Sequence, residues 1–399
     1  MRISTNWQQQ QSVNQMLDRQ YQLSQTQLAL GNGKAIQTPS DNPAAAARVV
    51  DVSSASAQND QYTRNINMAN TRLSVEEQSL SNASDILDRI RTLALEGSNG
   101  TQTDESRKSI ATEMRQSLQQ LVSIANTKDG QGEYIFAGNS TSSQPFTQSG
   151  LNVTYSGDQG QRMVAAGAGL QVATGDSGDA VFMSVKGGNG TFQTSAGSTN
   201  TGTAVVGSTS VTDASAWTGG SYTITFTDAS TYEIHDAADP TGPAISTGTY
   251  TGDSGSITFN GAQLNLTGTP AAGDTFSVTP SSSQDVFSTV ANMITAFEQG
   301  GGGGAALNNT VNAQLQNLDQ AAGSFLNTRT QIGARMNTLD AQTDMGADMK
   351  LQYASTLSDL QDLDYASAAS KFSQQQSALD AAQQAYVKMQ NLSLFNYLK

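Results

Sequence analysis

The side chains that could do chemistry are few. The single imidazole, His235, stands close to Asp236 and Asp239, a set that hints at a transition-metal corner. One His with loop aspartates falls short of the ligand number such a site needs, so a solvated strand end is expected. Asp228 with Ser230, and Asp176 with Asp179, offer oxygen ligands of the kind calcium prefers. Neither has EF-hand spacing, and turn chemistry is expected at both. Gly33-Lys34 matches the end of a phosphate-binding loop, but Leu28 stands where its first Gly belongs and Ala35 where Ser or Thr belongs. No strand precedes it, so Lys34 reads as a solvated residue beyond a helix cap. Glu76 and Glu77 are adjacent carboxylates on a helix face, expected in solvent. No nucleophile can be matched to His235, which removes a Ser/His/Asp set. The chain has no cysteine, so thiol catalysis, thiolate metal sites and disulfides are excluded. The expectation is a non-enzyme with no cofactor and no metal.

Composition narrows the partners. The 399 residues carry a formal net charge of −14, which repels phosphate backbones and disfavours nucleic acid. Only 14% of residues are charged, and the polar mass is Gln, Asn, Ser, Thr and Gly. Such a surface tolerates close packing on copies of itself. No run of about 18 apolar residues is present, so no membrane insertion is expected. Met1 to Trp7 leads into glutamines with no apolar core, so no cleaved Sec-type signal peptide is expected and any export would take another route.

The elements that must carry function are helices. Met16, Leu23 and Leu30 recur at sevens, and Val13, Leu17, Tyr21 and Leu28 widen the stripe, a seam of coiled-coil type. Gly31-Asn32-Gly33 ends that helix, and Pro39 and Pro43 break the chain, with Asn42 as cap and Pro43 opening the next helix. A second helix, from Ala44 to about Glu96, has the row Ile66, Leu73, Leu80, Leu87 and Ala94, with Ala69, Ala83 and Ile90 beside it. A third carries Ile110, Met114, Leu118, Leu121 and Ala125. The period then becomes two: Ser221–Thr227 and Thr231–Ile234 form a hairpin, with further strands at Leu151–Tyr155, Ser256–Phe259 and Thr275–Val278. Helices resume with Val286, Val290, Met293 and Phe297. After a break at Gly300–Gly304 follows the stripe Val311, Leu315, Leu318, Ala322, Phe325, Ile332, Met336 and Leu339. Tyr365, Phe372, Leu379 and Tyr386 recur at sevens, with Ala368, Ala382 and Met389 beside them, before the apolar tip at Leu392 and Phe395.

The fold class is therefore mainly α with an all-β insertion, its N- and C-terminal helices paired antiparallel. Three domains are expected: a terminal helical assembly domain (1–40 with 352–399), a helical bundle with a β-hairpin region (41–165 with 284–351) and a β-rich outer domain (166–283). The expected assembly interface comprises Val13, Met16, Leu23, Leu30, Phe372, Leu379, Tyr386, Met389, Leu392 and Phe395. Pro39 and Pro43 are the expected hinge.

Several motifs resemble the flagellin superfamily, over roughly two thirds of the chain. They are Met1-Arg2-Ile3-Ser4-Thr5; Leu30–Ile36 running into Pro39-Ser40-Asp41-Asn42-Pro43-Ala44; Asn99-Gly100-Thr101 with Asp104 to Arg107; Tyr134-Ile135-Phe136-Ala137-Gly138 closing with Pro145-Phe146; and Leu357–Ala366. The fourth is more similar to junction-forming members than to filament subunits. The resemblance implies a structural subunit of the bacterial flagellum that connects hook to filament. It implies a homo-oligomer ring touching flagellin and the other hook-associated junction protein. It also implies a cytoplasmic export chaperone and passage through the flagellar type III export apparatus. The alternatives are a flagellin filament subunit and, from another class, a secreted adhesive or glycan-active protein that uses the β insertion.

Overall fold

The computed structural model describes residues 5–252, 254–299 and 304–391. It divides into two compact units, one made of the chain up to Arg64 and from Ala341 onward, the other of Asn65–Asp340.

The central unit is organised by helices. Parts of α2 (Pro43–Ser98) and α5 (Ala305–Gln361) run through it beside α3 (Asp104–Ala125) and α4 (Val286–Gln299). The sevens of α2 are its core: Ile66, Leu73, Leu80, Leu87 and Ala94 are buried, as are Ala69, Ala83 and Ile90 beside them. Ile110, Met114, Leu118 and Leu121 of α3, Val290, Met293 and Phe297 of α4, and Val311, Phe325, Ile332 and Leu339 of α5 join them in one cluster. Thr103 caps α3 by accepting from Ser106 N at 3.1 Å. Arg107, 2% exposed, staples the turn before α3, its Nε donating to Gly97 O at 3.0 Å and an Nη to Asn99 O at 3.3 Å. A Cβ at Gly97 would stand 2.6 Å from the Phe297 ring, so glycine there lets α4 close on α2.

Two hairpins lie against this bundle: β1 (Phe146–Ser149) with β2 (Asn152–Tyr155), and β3 (Met163–Gly167) with β4 (Leu170–Ala173). A π-helical turn, Asp179–Met183, follows. Its Phe182 sits edge-on to Phe136 at 5.1 Å and Phe325 at 5.3 Å and stacks on Phe287 at 5.8 Å. Val172, Val181, Phe182 and Val185, which fall in the stretch assigned from sequence to the outer domain, thus pack in the helical core.

The remaining strands are β5 (Val185–Lys186), β6 (Phe192–Ala196), β7 (Val205–Val211), β8 (Tyr222–Phe226), β9 (Thr231–Asp236), β10 (Ser246–Thr249), β11 (Ser254–Phe259), β12 (Ala262–Thr267), β13 (Thr275–Pro280) and β14 (Ser283–Gln284). β14 pairs with β5; the others form a five-stranded antiparallel sheet, β10-β9-β8-β13-β6, and a three-stranded one, β11-β12-β7. Alternate residues of β8 and β12 point inward, as a half-buried pleat requires. The two sheets share a second core of Phe192, Ile224, Phe226, Ile257, Leu264, Phe276 and Val278. The exposed edge of β7 is covered from α5 by amide side chains. Asn309 accepts from Val206 N at 2.7 Å and donates to Ala204 O at 3.0 Å, Asn312 donates to Val206 O at 2.9 Å, and Gln316 to Gly207 O at 2.9 Å. An open sheet edge is thereby closed without another strand.

Two expectations are corrected here. His235 is not a solvated strand end: it is 9% exposed, with Nδ1 3.1 Å from Gly242 O and Nε2 3.2 Å from Glu233 Oε2, because the turn after β9 folds back over the ring. Glu76 is fully buried rather than solvated, because the segment at Asp176 closes over it, whereas Glu77 is partly exposed and pairs with Arg329. The aspartates read as turn formers behave in two ways. Asp228 is a turn residue, held well below the usual carboxylate range by the Thr231 hydroxyl and the Ser230 N–H. Asp176 instead receives both Nη atoms of Arg335, at 2.8 and 2.9 Å, while Asp179 accepts from Gln159 at 3.0 Å.

Candidate assembly interface

The terminal unit is built around α1 (Thr5–Asn32) and α6 (Tyr365–Asn391), which pack antiparallel. Arg19 reaches the Ala378 carbonyl at 3.4 Å, while at the other end Gly33 meets the Tyr365 side chain. Val13, Met16, Leu23 and Leu30 on α1, and Phe372, Leu379 and Tyr386 on α6, are all half-buried. Only Thr26 of α1 and Ala368 of α6 are fully buried among the described residues. Two helices cannot enclose an apolar seam, because each covers only one side of its partner. Met389 belongs to α6, but its side chain lies outside the described residues, as do Leu392, Phe395 and the glycine break at Gly300–Gly303.

A second row on α1 faces solvent. Trp7, Tyr21 and Leu28 are multiples of seven apart, with Leu17 in the adjoining row, and they are 60%, 66%, 55% and 58% exposed. In the sequence Leu17, Tyr21 and Leu28 read as one wide stripe with Met16 and Leu23. The structure separates them into two faces. Tyr365, first of the C-terminal sevens, is likewise 57% exposed.

The breaks in the two terminal segments lie side by side. Gly33, at φ +72, ends α1, and its N–H donates to Ala29 O at 2.9 Å. Ala35 N donates to Gln361 O at 2.8 Å and Leu363 N to Gly33 O at 2.9 Å, a short two-stranded bridge. Pro39 sits in a turn whose Asp41 N donates to Thr38 O at 3.0 Å. The Thr38 and Gln37 N–H groups, at 2.8 and 2.9 Å, hold the Asp41 carboxyl below its usual range. Asn42 accepts from Ala45 N at 3.1 Å and Pro43 opens α2, as expected. The companion break at Asp362–Asp364 was missed. Its signal is Asp364 three residues before Ser367, which caps α6 through Ala366 N at 3.0 Å and Ser367 N at 3.2 Å.

Terminal helices packed on each other, with a β domain between them in the order of the chain, define a flagellin-type subunit. The bacterial flagellin N-terminal helical region matches residues 3–141, and the C-terminal helical region matches residues 315–398. The D2-like domain of flagellar hook-associated protein 1 matches residues 195–280. Flagellar hook-associated protein 3 of Escherichia coli K12 is 28% identical over the whole of both chains. FlgL of Xanthomonas campestris is 34% identical, aligned over 77% of this chain and 99% of that one, with a TM-score of 0.71. Hook-associated protein-3 of Legionella pneumophila is 33% identical, over 77% and 98%, also at 0.71. The chain belongs to the flagellar hook-associated protein 3 family, structural subunits of the bacterial flagellum at the junction between hook and filament.

Proposed function

We propose that the chain works as a homo-oligomer ring between hook and filament, meeting flagellin on one side and the other hook-associated junction protein on the other. The observation that carries this reading is the second, exposed row on α1. Leu17, Tyr21 and Leu28, with Trp7 further along the helix, present exposed apolar side chains on a helix whose other seam already faces α6. An apolar stripe at heptad spacing, on a charge-poor helix, fits a neighbouring helix better than water. In this reading the half-buried seam of Val13, Met16, Leu23, Leu30, Phe372, Leu379, Tyr386 and Met389 completes its burial against further copies, with Leu392 and Phe395 extending it. The paired breaks at Pro39–Pro43 and Asp362–Asp364 act as the joint that lets one subunit fit two different neighbours.

Before export the same apolar faces need cover, which suits a cytoplasmic chaperone bound to the C-terminal helix and delivery through the flagellar type III apparatus without a cleaved signal. The role is structural rather than catalytic. Among the described residues no helix is long and apolar enough to cross a membrane.

A deletion strain tests the reading. Filaments should be lost while flagellin is shed into the medium, and the wild-type chain should restore them. A chain with both Leu379→Asp and Tyr386→Asp should keep the central unit folded and fail to restore filaments. Normal motility with that variant would overturn the interface.

A further inference from the structure

Glu76 occupies a place in α2 that its pattern reserves for apolar residues. Ala69, Glu76, Ala83 and Ile90 are seven apart, and the side chain of Glu76 is 0% exposed between the turns of Leu73 and Leu80. One carboxyl oxygen, Oε1, accepts from Asp176 N at 2.9 Å, and the other, Oε2, makes no hydrogen bond. The loop closes over the carboxyl with a glycine: a Cβ at Gly175 would lie 3.5 Å from Glu76 Oε2 and 3.6 Å from Arg72 Nε.

The charged groups facing this pocket come from every element around it. Arg72 of α2 binds Asp129 at 2.8 Å and Glu133 at 3.2 Å. Arg162, ahead of β3, binds Glu133 at 2.7 Å. Arg335 of α5 binds Asp176 at 2.8 Å. Three guanidiniums thus face three other carboxylates, Asp129, Glu133 and Asp176, and their charges cancel. Glu76 is the odd carboxyl, with no ion pair among the described residues. If ionised, it would place a second negative charge beside Asp176 in an enclosed space away from water, a costly arrangement that a bound proton relieves.

We propose that Glu76 is a buried proton-binding site, held as the neutral acid in the folded subunit, and that losing this proton in alkaline medium loosens the 174–178 segment from α2. Burial is the main cause that pushes the Glu76 carboxyl up to about 8, and the Asp176 charge adds to it, against weaker opposition from the Asp176 N–H hydrogen bond, Arg335 and Arg72. The sign follows from a folded value raised above the ordinary 4.5. The contribution to stability is complete below about pH 4.5, falls as pH rises toward about 8, and is constant beyond. The ionised Glu76 repels the Asp176 charge, and the segment that carries Asp176 is otherwise tied down by Gly178 N donating to Phe136 O at 2.8 Å and by the Arg335 ion pair.

The experiment uses the full chain. Thermal midpoints from pH 5 to 9 are compared for the wild type and Glu76→Gln, a permanent mimic of the neutral acid. The wild-type midpoint should fall toward pH 8, and the variant should lack that fall and melt higher at pH 9. Hydrogen exchange at 174–178, corrected for its intrinsic pH dependence, should rise above pH 8 in the wild type alone. Parallel pH profiles for the two proteins would overturn the proposal. Should the variant not fold, the wild type decides through the side-chain carboxyl resonances of ¹³C-labelled glutamate. One glutamate that stays protonated at pH 7 supports the site, and titration of every glutamate near the ordinary value refutes it.

Discussion

The leucine-based heptad rows of the two units end in opposite states. In the central unit the sevens of α2 from Ile66 to Ala94 are between 0% and 1% exposed. In the terminal unit Met16, Leu23, Leu30, Phe372, Leu379 and Tyr386 are only half-buried. The difference is not in the residues but in what surrounds them. α2 shares one core with α3, α4, α5 and residues of the two hairpins, whereas α1 packs on α6. A heptad row states that a helix has an apolar face. The number of neighbours decides whether that face is a core or an interface.

The largest effect that sharpens this contrast belongs to Phe182→Ala. Its ring touches Phe136, Phe146, Phe287 and Phe325, with centroids 5.1 to 5.8 Å apart. Removing it should leave a cavity and cost about 3–5 kcal/mol, read from the denaturant midpoint of the central unit. A loss below about 1 kcal/mol would mean that the aromatic cluster is not the rigid centre its burial suggests.

Next in size is Asn309→Ala. This side chain satisfies Val206 N and Ala204 O at the covered edge of β7. Both backbone groups would lose their partner, at a combined cost of about 1–3 kcal/mol. Hydrogen exchange at Val206 should rise well before exchange at Ile224 in the other sheet. Equal protection of Val206 in both proteins would show that the amide contacts do not hold that edge.

Much of this was legible in the sequence, and the remainder has identifiable causes. The core rows of α2 to α5 and the Tyr222–Ile234 hairpin follow from local period, which survives whatever packs against them. The burial of His235 does not, because it depends on a turn seven residues further on. The Asn309, Asn312 and Gln316 contacts were invisible for a similar reason: amides at helical spacing also suit a solvated face, and only the arrival of β7 distinguishes the two. Glu76 was legible and passed over. It stands in the same row as Ala69, Ala83 and Ile90, and a glutamate in an apolar heptad row signals burial more than solvation. Reading it as one of two adjacent carboxylates concealed its place in the period. The two faces of α1 run together in sequence because apolar residues three and four apart can be grouped into one stripe until the partner helix shows which of them it covers.

The smallest stability effect should come from the exposed face of α1, and it separates the two faces most sharply. Leu17 and Tyr21 are 58% and 66% exposed, so replacing both with Ser removes little buried area and should move the stability of the isolated chain by no more than about 0.5 kcal/mol. Leu23→Ser on the opposite face should lower the helicity of the terminal pair, because that side chain is half-buried in a unit whose α1 packs on α6. Circular dichroism and melting of the purified proteins give this ordering, and swarming of complemented deletion cells gives the assembly phenotype. If the exposed row is the surface that meets a neighbour, Leu17→Ser with Tyr21→Ser leaves the soluble chain unchanged and abolishes motility. Motile cells carrying that pair would assign assembly to the half-buried seam alone, and the outer row of α1 would then be a face that the tube leaves in water.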